Sequence, residues 1–214
     1  MTRGDRFTGH DLSCIRAERL IFTGIDFDIA AGGALRLTGP NGSGKSSLLR
    51  LMAGLLRPAS GALAWNGRDP RDEPEAHRAA LRYLGHQDAI KPALTVAETL
   101  DFWIGVMGGA GDRAAALDAF GLARLASLPA RFLSAGQRRR LALARLVAAP
   151  GRLWLLDEPT VGLDRASVAA LEGVVARHRA AGGMVVVATH TKLELPGAAE
   201  LALERFAPAR PAAA

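Results

Sequence analysis

Two neighbouring stretches near the N-terminus, "LIFTGIDFDI" and "ALRLTG", alternate apolar with polar positions and are separated by "AAGG". A period of two is the mark of a strand with one buried face, and a glycine pair supplies a tight turn. The pattern predicts two strands joined by that turn. Residues 1 to about 10 show no such period and read as mobile. "KSSLLRLMAGLL" switches to leucines at helical spacing, "RPASGALAWNGRDP" reads as a short strand between turns, and "ALRYLGHQ" as a strand closed by Gln87. From about residue 91 to 133 the pattern turns helical. Thr95 stands three residues before Glu98, a capping box that opens a helix at "LTVAETLDFWIGVM". "DRAAALDAFGLARLA" gives a second helical piece, and "RRRLALARLVAAP" a third after "LSAGQ". Strand and helix then alternate again through "RLWLLDEP", "ASVAALEGVVARHRAAG" and "MVVVATH", and the tail "APARPAAA" is of low complexity. Strands alternating with helices at both ends specify an α/β fold with a mainly parallel sheet, interrupted by a helical insertion.

Composition narrows this only a little. With 214 residues the chain suits one domain, and 49% hydrophobic against 22% charged residues is ordinary globular usage. A single cysteine, Cys14, excludes an intrachain disulfide and points to a reducing compartment. "MTRGDRFTGH" is not patterned as a signal peptide, and the longest apolar runs, "LWLL" and "MVVVA", are too short to span a bilayer. The net charge of +6 would suit nucleic acid, anionic lipid or nucleotide phosphate, or simply arginine-rich solvated faces.

The chemistry begins at "GPNGSGKSS", where Gly39, Gly44, Lys45 and Ser46 fall in the G-x-x-x-x-G-K-[ST] spacing between a predicted strand and helix. The loop's glycines, Gly39, Gly42 and Gly44, let it curl around Pro40 so that the amide N–H groups after it, through Asn41, Ser43 and Ser47, face phosphate oxygens. Lys45 is placed to bridge the β- and γ-phosphates of ATP, and Ser46 to ligate Mg²⁺. A second Mg²⁺ ligand is expected at the end of a buried strand, and Asp157 closes "LWLLD" there. Glu158 follows, pointing the other way along the strand, as a general base for an attacking water. "LSAGQRRR" adds a puzzle, because a second helix start of this kind also suits an anion.

Together with "LSAGQ", these motifs resemble ABC-type ATPases, whose signature sequence is usually LSGGQ; Ala135 stands in place of its first glycine. Gln87, "LDEPTVGLD" with Asp164, and His190 after "VVVAT" follow in the family's order, and the resemblance runs from about Leu12 to Leu203. It implies a P-loop NTPase fold of the ABC type: a nucleotide-binding domain over 12–206 with an N-terminal antiparallel β portion, a helical subdomain inserted at 88–140, and a disordered tail at 207–214. It implies a homodimer in which each ATP lies between one copy's phosphate loop and the other's signature helix. Ser134, Gly136 and Gln137 would then hold the γ-phosphate bound by the partner copy, and Asp164 would organise the site across the dimer. Gln87 would contact Mg²⁺ and the attacking water, and His190 would bond the γ-phosphate and orient Glu158. Alone, a strand-end histidine is more often structural, and an Asp after Gly-Leu merely caps a helix. The family's adenine-stacking aromatic falls here on Arg16, whose plane can also stack on a base; Phe22, the nearest aromatic, reads as core.

"RYLGHQDAIKPALTVAETLDFW", "LPARFLSAGQRRRLALARL" and "WLLDEPTVGLD" resemble, within that family, the ATP-binding subunits of the cytochrome c maturation system, the haem exporters. This implies ATPase activity coupled to haem export or to release of a haem-loaded chaperone. It implies an integral membrane partner at the cytoplasmic face of the inner membrane, and no nucleic acid. The 91–133 insertion would dock that partner, with Phe102 and Trp103 either lining its groove or packing the insertion's own core. No C-x-x-C-H occurs, and the five histidines show no paired spacing, so haem itself is read from resemblance alone. The alternatives are a subunit serving another cargo and a nucleic-acid-associated ATPase, the latter supported only by the charge.

Overall fold

The computed structural model describes residues 4–208, apart from 110 and 192. The tail at 209–214 and residues 1–3 therefore lie outside the described residues. The chain forms two sheets. An antiparallel sheet of order β2-β1-β4 is built from β1 (Arg6–Arg16), β2 (Arg19–Ala30) and β4 (Ser60–Trp65). A five-stranded parallel sheet has the order β5-β6-β7-β3-β8, from β5 (Leu81–Leu84), β6 (Leu153–Asp157), β7 (Met184–Ala188), β3 (Ala34–Thr38) and β8 (Ala199–Ala202).

β2 and β3 are the two strands expected on either side of "AAGG", but they belong to different sheets. The N-terminal residues expected to be mobile are not so from Arg6 onward: β1 starts there, before the boundary anticipated at 12, and pairs with β2 and β4. Its register shifts around Asp11, which has φ of 47°, and that irregularity is why no clean period marks it. Elements not foreseen are β1, β8, α2 (Pro74–Ala80) and the 3₁₀ turns at Ala130–Phe132 and Leu203–Phe206.

β6 and β7 are buried along their whole length. Successive strand side chains point to opposite faces, so two buried faces need apolar residues at every position. Leu153 and Leu155 with Met184 and Val186 pack towards β1, β2 and α1 (Lys45–Met52). Trp154 and Leu156 with Val185 and Val187 pack towards the helices α3 (Val96–Val106), α4 (Arg113–Ala119), α5 (Ala135–Ala148) and α6 (Arg165–Ala180). The parallel sheet is thus the wall between two cores. The capping box of Thr95 and Glu98 forms as expected. α5 starts at Ala135, three residues before the arginine run, and continues unbroken through residue 140 to Ala148.

Candidate nucleotide site

Three adjacent strands of the parallel sheet deliver their C-terminal ends to one cleft. β3 runs into the phosphate loop, β6 ends on Asp157, and β7 leads to His190. That edge is where open α/β sheets collect ligands. A cavity of about 360 Å³ opens there, lined by Arg16, the phosphate loop, Arg50, His86, Asp157, Glu158 and His190 among others. Larger clefts around Trp65 and around Asp5 touch no part of this loop.

The loop's shape depends on Gly44, the residue before α1. Its φ is 101°, and a Cβ there would meet Ile21 Cγ2 at 2.7 Å and Phe22 Cδ1 at 2.8 Å. Any side chain would push the helix start off the antiparallel sheet. Asn41, Gly42, Lys45, Ser46 and Ser47 line the cleft. Pro40 contributes its carbonyl, which accepts from Lys45 Nζ at 3.1 Å, while the Gly39 carbonyl accepts at 2.6 Å. The Ser43 hydroxyl is buried and makes no hydrogen bond.

Lys45 is 7% exposed. Burial pulls its ammonium below the ordinary lysine value, and the nearby carboxylates of Glu158, Asp157 and Glu204 resist that pull. Its third donor faces His190 Nε2 at 3.1 Å, and the same nitrogen lies 2.7 Å from Asn41 Oδ1. One imidazole nitrogen cannot accept from the ammonium while donating to an amide oxygen. What the point lacks is an acceptor that both Lys45 and His190 can donate to, and a phosphate oxygen is one. The residues present therefore fit a triphosphate.

Glu158 departs from its expected place. β6 ends at Asp157, and Glu158 occupies a turn with φ of 46° rather than continuing the strand. The turn swings its carboxylate to β7: Oε2 lies 3.3 Å from the His190 amide, which donates to it, and Oε1 lies 3.4 Å from His190 Nε2. Asp157, 4% exposed, and Ser46 share the cleft. Among the described residues no group of three or more His, Cys, Asp or Glu could hold a metal ion alone. Mg²⁺ needs only one or two carboxylates beside phosphates and water, so the donor set still fits it.

Gln87 also departs from expectation. β5 ends at Leu84, Gln87 lies three residues further on an exposed loop, and the cleft is lined by His86 instead. Two arginines of α5 fix that loop. Arg139 Nη1 donates to Asp88 Oδ1 at 2.9 Å, and Arg145 Nη1 to the Asp88 carbonyl at 2.7 Å. Arg139 Nη2 also donates to the carbonyls of Asp157 at 3.1 Å and Glu158 at 2.7 Å. One buried guanidinium thus joins the loop after β5, the acidic pair after β6 and the signature helix. Sequence reasoning missed it, because one arginine in "RRR" looks like the others.

The signature residues do not line this cleft. Ser134 caps α5 in a reciprocal box with Gln137, the Gln137 amide donating to Ser134 Oγ at 3.2 Å and the Ser134 amide to Gln137 Oε1 at 2.8 Å. Gly136 packs on the "TVGLD" loop, where a Cβ would stand 3.2 Å from the Gly162 carbonyl. Asp164 caps α6 by accepting from the Ser167 amide at 2.8 Å, and this hydrogen bonding holds its carboxyl below the usual range. Ser134, Ala135 and Asp164 are exposed, as is Val161 beside them. Arg16 lines the cleft, whereas Phe22 is fully buried core and offers no face to a base. Phe102 is exposed, meets Trp103 edge-on and lies under Lys91, while Arg145 covers Trp103.

The ABC transporter family profile matches residues 22–161. The cytochrome c biogenesis ATP-binding export protein CcmA of Paramagnetospirillum magneticum is 58% identical over 206 residues, covering 94% of this chain and 95% of its own. Its namesake from Rhodospirillum rubrum is 60% identical over 204 residues, covering 94% and 87%. Among solved structures, an ATP-binding subunit of an ABC transporter superposes with a TM-score of 0.78 at 26% identity, over 86% of this chain and 79% of that one. An ABC transporter ATP-binding protein from Pyrococcus furiosus gives 0.82 at 20% identity over 95% and 100%, a likeness of fold alone. The chain belongs to the ABC transporter ATP-binding family and, within it, to the cytochrome c biogenesis ATP-binding export proteins.

Proposed function

We propose that this ATPase works as one of two facing copies and passes the energy of hydrolysis to an integral membrane subunit in c-type cytochrome assembly, as haem export or release of a haem-loaded chaperone. The observation that carries the chemistry is the convergence of Lys45, His190, Asp157 and Glu158 from three neighbouring strands onto one cleft. Loop amides and Lys45 hold the β- and γ-phosphates, with Arg16 flanking the base end. Ser46 and Asp157 would hold Mg²⁺, and Gln87, on the exposed loop after β5, would contact the ion and the attacking water. Bound there, the ion would neutralise phosphate charge and orient the γ-phosphate. Glu158 takes the proton of the attacking water, and His190, fixed by its contact with Glu158, orients both.

The signature helix start lies outside the cleft of its own copy, so a second copy must supply it. Ser134 and Gly136, with Gln137 locking the Ser134 rotamer, reach the γ-phosphate bound by the partner, and Asp164 borders that contact. Exposed Val161, beside the same surface, suits burial between copies. Among the described residues no helix is long and apolar enough to cross a membrane. Peripheral attachment at the cytoplasmic face of the inner membrane, through the membrane subunit, follows from this reading.

The test uses the full complex. Co-expressed with its membrane subunit, the chain should co-purify in detergent and hydrolyse ATP. A strain carrying only Glu158→Gln should lack haem-stained c-type cytochromes. Normal cytochromes in that strain would refute the assembly role.

A further inference from the structure

A carboxylate that the proposed chemistry does not use stands behind the phosphate loop. β8 runs parallel to β3, pairing Thr38 with Ala202, and the 3₁₀ turn Leu203–Phe206 follows at once. Leu203 is fully buried and Phe206 packs against the core under β1 and β2, so the turn is anchored on both sides of Glu204. Glu204 directs its side chain at the first glycine of the loop. A carbon at the Cβ position of Gly39, whose φ is 129°, would lie 2.7 Å from Glu204 Oε2 and 2.9 Å from Ser43 Oγ. The positive φ is what favours glycine there. The Ser43 hydroxyl there is buried without a partner.

We propose that Glu204, an exposed carboxylate beside the loop, tunes the affinity of the phosphate loop as a negative charge that weakens its hold on polyphosphate. The inference rests on reading the cleft as a nucleotide triphosphate site. The carboxylate beside Gly39 repels the anion that the loop and Lys45 hold. It does not line the cleft, so it acts through space on every phosphate in the loop. Repulsion scales with the charge on the ligand, so ATP is affected more than ADP, and salt screens it.

The test is calorimetric titration of ATP and ADP into the purified full-length chain at low and high salt. Glu204→Gln and Glu204→Ala should bind ATP about three- to tenfold more tightly at low salt, with a smaller gain for ADP and a gain that shrinks in high salt. Glu204→Asp, which keeps the charge, should stay within about twofold of the parent. Unchanged ATP affinity in Glu204→Gln overturns the proposal. So does weaker binding, insensitive to salt, in both neutral variants, which is what a mere prop for the turn would give. Failure of the unmodified chain to bind ATP, or undiminished binding by Lys45→Ala, is a different outcome and overturns the reading of the cleft itself.

Discussion

Glu158 shows how much one backbone angle does. Its amide donates to the Ala188 carbonyl at 2.8 Å, which ends β6 on β7, and a φ of 46° then turns the side chain to His190. Glu158→Gln keeps the shape and removes the proposed proton acceptor. Steady-state turnover should fall by about 10²- to 10⁴-fold with ATP binding retained; unimpaired turnover would assign the base elsewhere. The residue identities of this site were legible because the phosphate loop and the acidic pair have fixed spacings. Their exact stations were not, because a strand's last hydrogen bond is tertiary, and it placed Glu158 in a turn and Gln87 beyond β5. Arg139 was invisible for a different reason. Charge runs are usually solvated, and only packing shows that Arg139 is 6% exposed while Arg138 and Arg140 are less buried. Arg139→Ala strands several buried carbonyls and Asp88, so it should cost about 2–4 kcal/mol in chemical denaturation. It should also lower kcat more than it raises KM, since it anchors both the Glu158 turn and the loop of Gln87. An equal effect from Arg138→Ala would remove its special standing.

At the level of elements, legibility followed burial. β6 and β7 announce themselves as unbroken apolar runs, and α3 by its cap. α2 buries only His77, so it carries no apolar stripe, and β8 is four residues long with one buried side chain. The same sheet sets a pH dependence. On the helical face of β6, the Trp154 ring stacks on His178 of α6 with centroids 3.8 Å apart and planes within 5°. Burial pushes the His178 imidazole down from 6.5 to about 4, against a Met184 carbonyl that favours the proton. The unfolded chain takes up its proton near the ordinary value, the folded chain only near the lower one. This contribution to stability is therefore complete above pH 6.5 and lost progressively as the pH falls towards about 4. Denaturation midpoints should drop between pH 7 and pH 5, and His178→Phe, which keeps a stacked ring, should flatten that drop. His77 is also pushed down by burial and leaves a residual slope in the variant. An identical slope in both proteins would show that His178 takes up its proton equally in the folded and the unfolded chain.

For the whole molecule, the decisive question is whether one chain suffices. The two helix starts proposed to hold phosphate sit on different surfaces: Lys45 in the cleft, Ser134 at an exposed helix start with its own box already closed. Ala135→Glu places a carboxylate at that start. An acid in a helix's first turn favours the helix, so folding and monomeric ATP binding should survive. Between copies the same carboxylate would face the partner's γ-phosphate, and turnover should fall by at least about 10²-fold, as when a phosphate-stabilising donor is lost. Lys45→Ala fails for the opposite reason, having an intact signature and a disabled loop. Mixed, the two inactive variants can form a dimer in which the loop of one meets the signature of the other, restoring one site of two. Activity should reappear on mixing and rise with protein concentration, whereas mixing Lys45→Ala with Glu158→Gln should restore nothing, because the only intact loop then lacks its base. Full turnover by Ala135→Glu alone would mean that each chain completes its own site, and the second helix start would need another explanation.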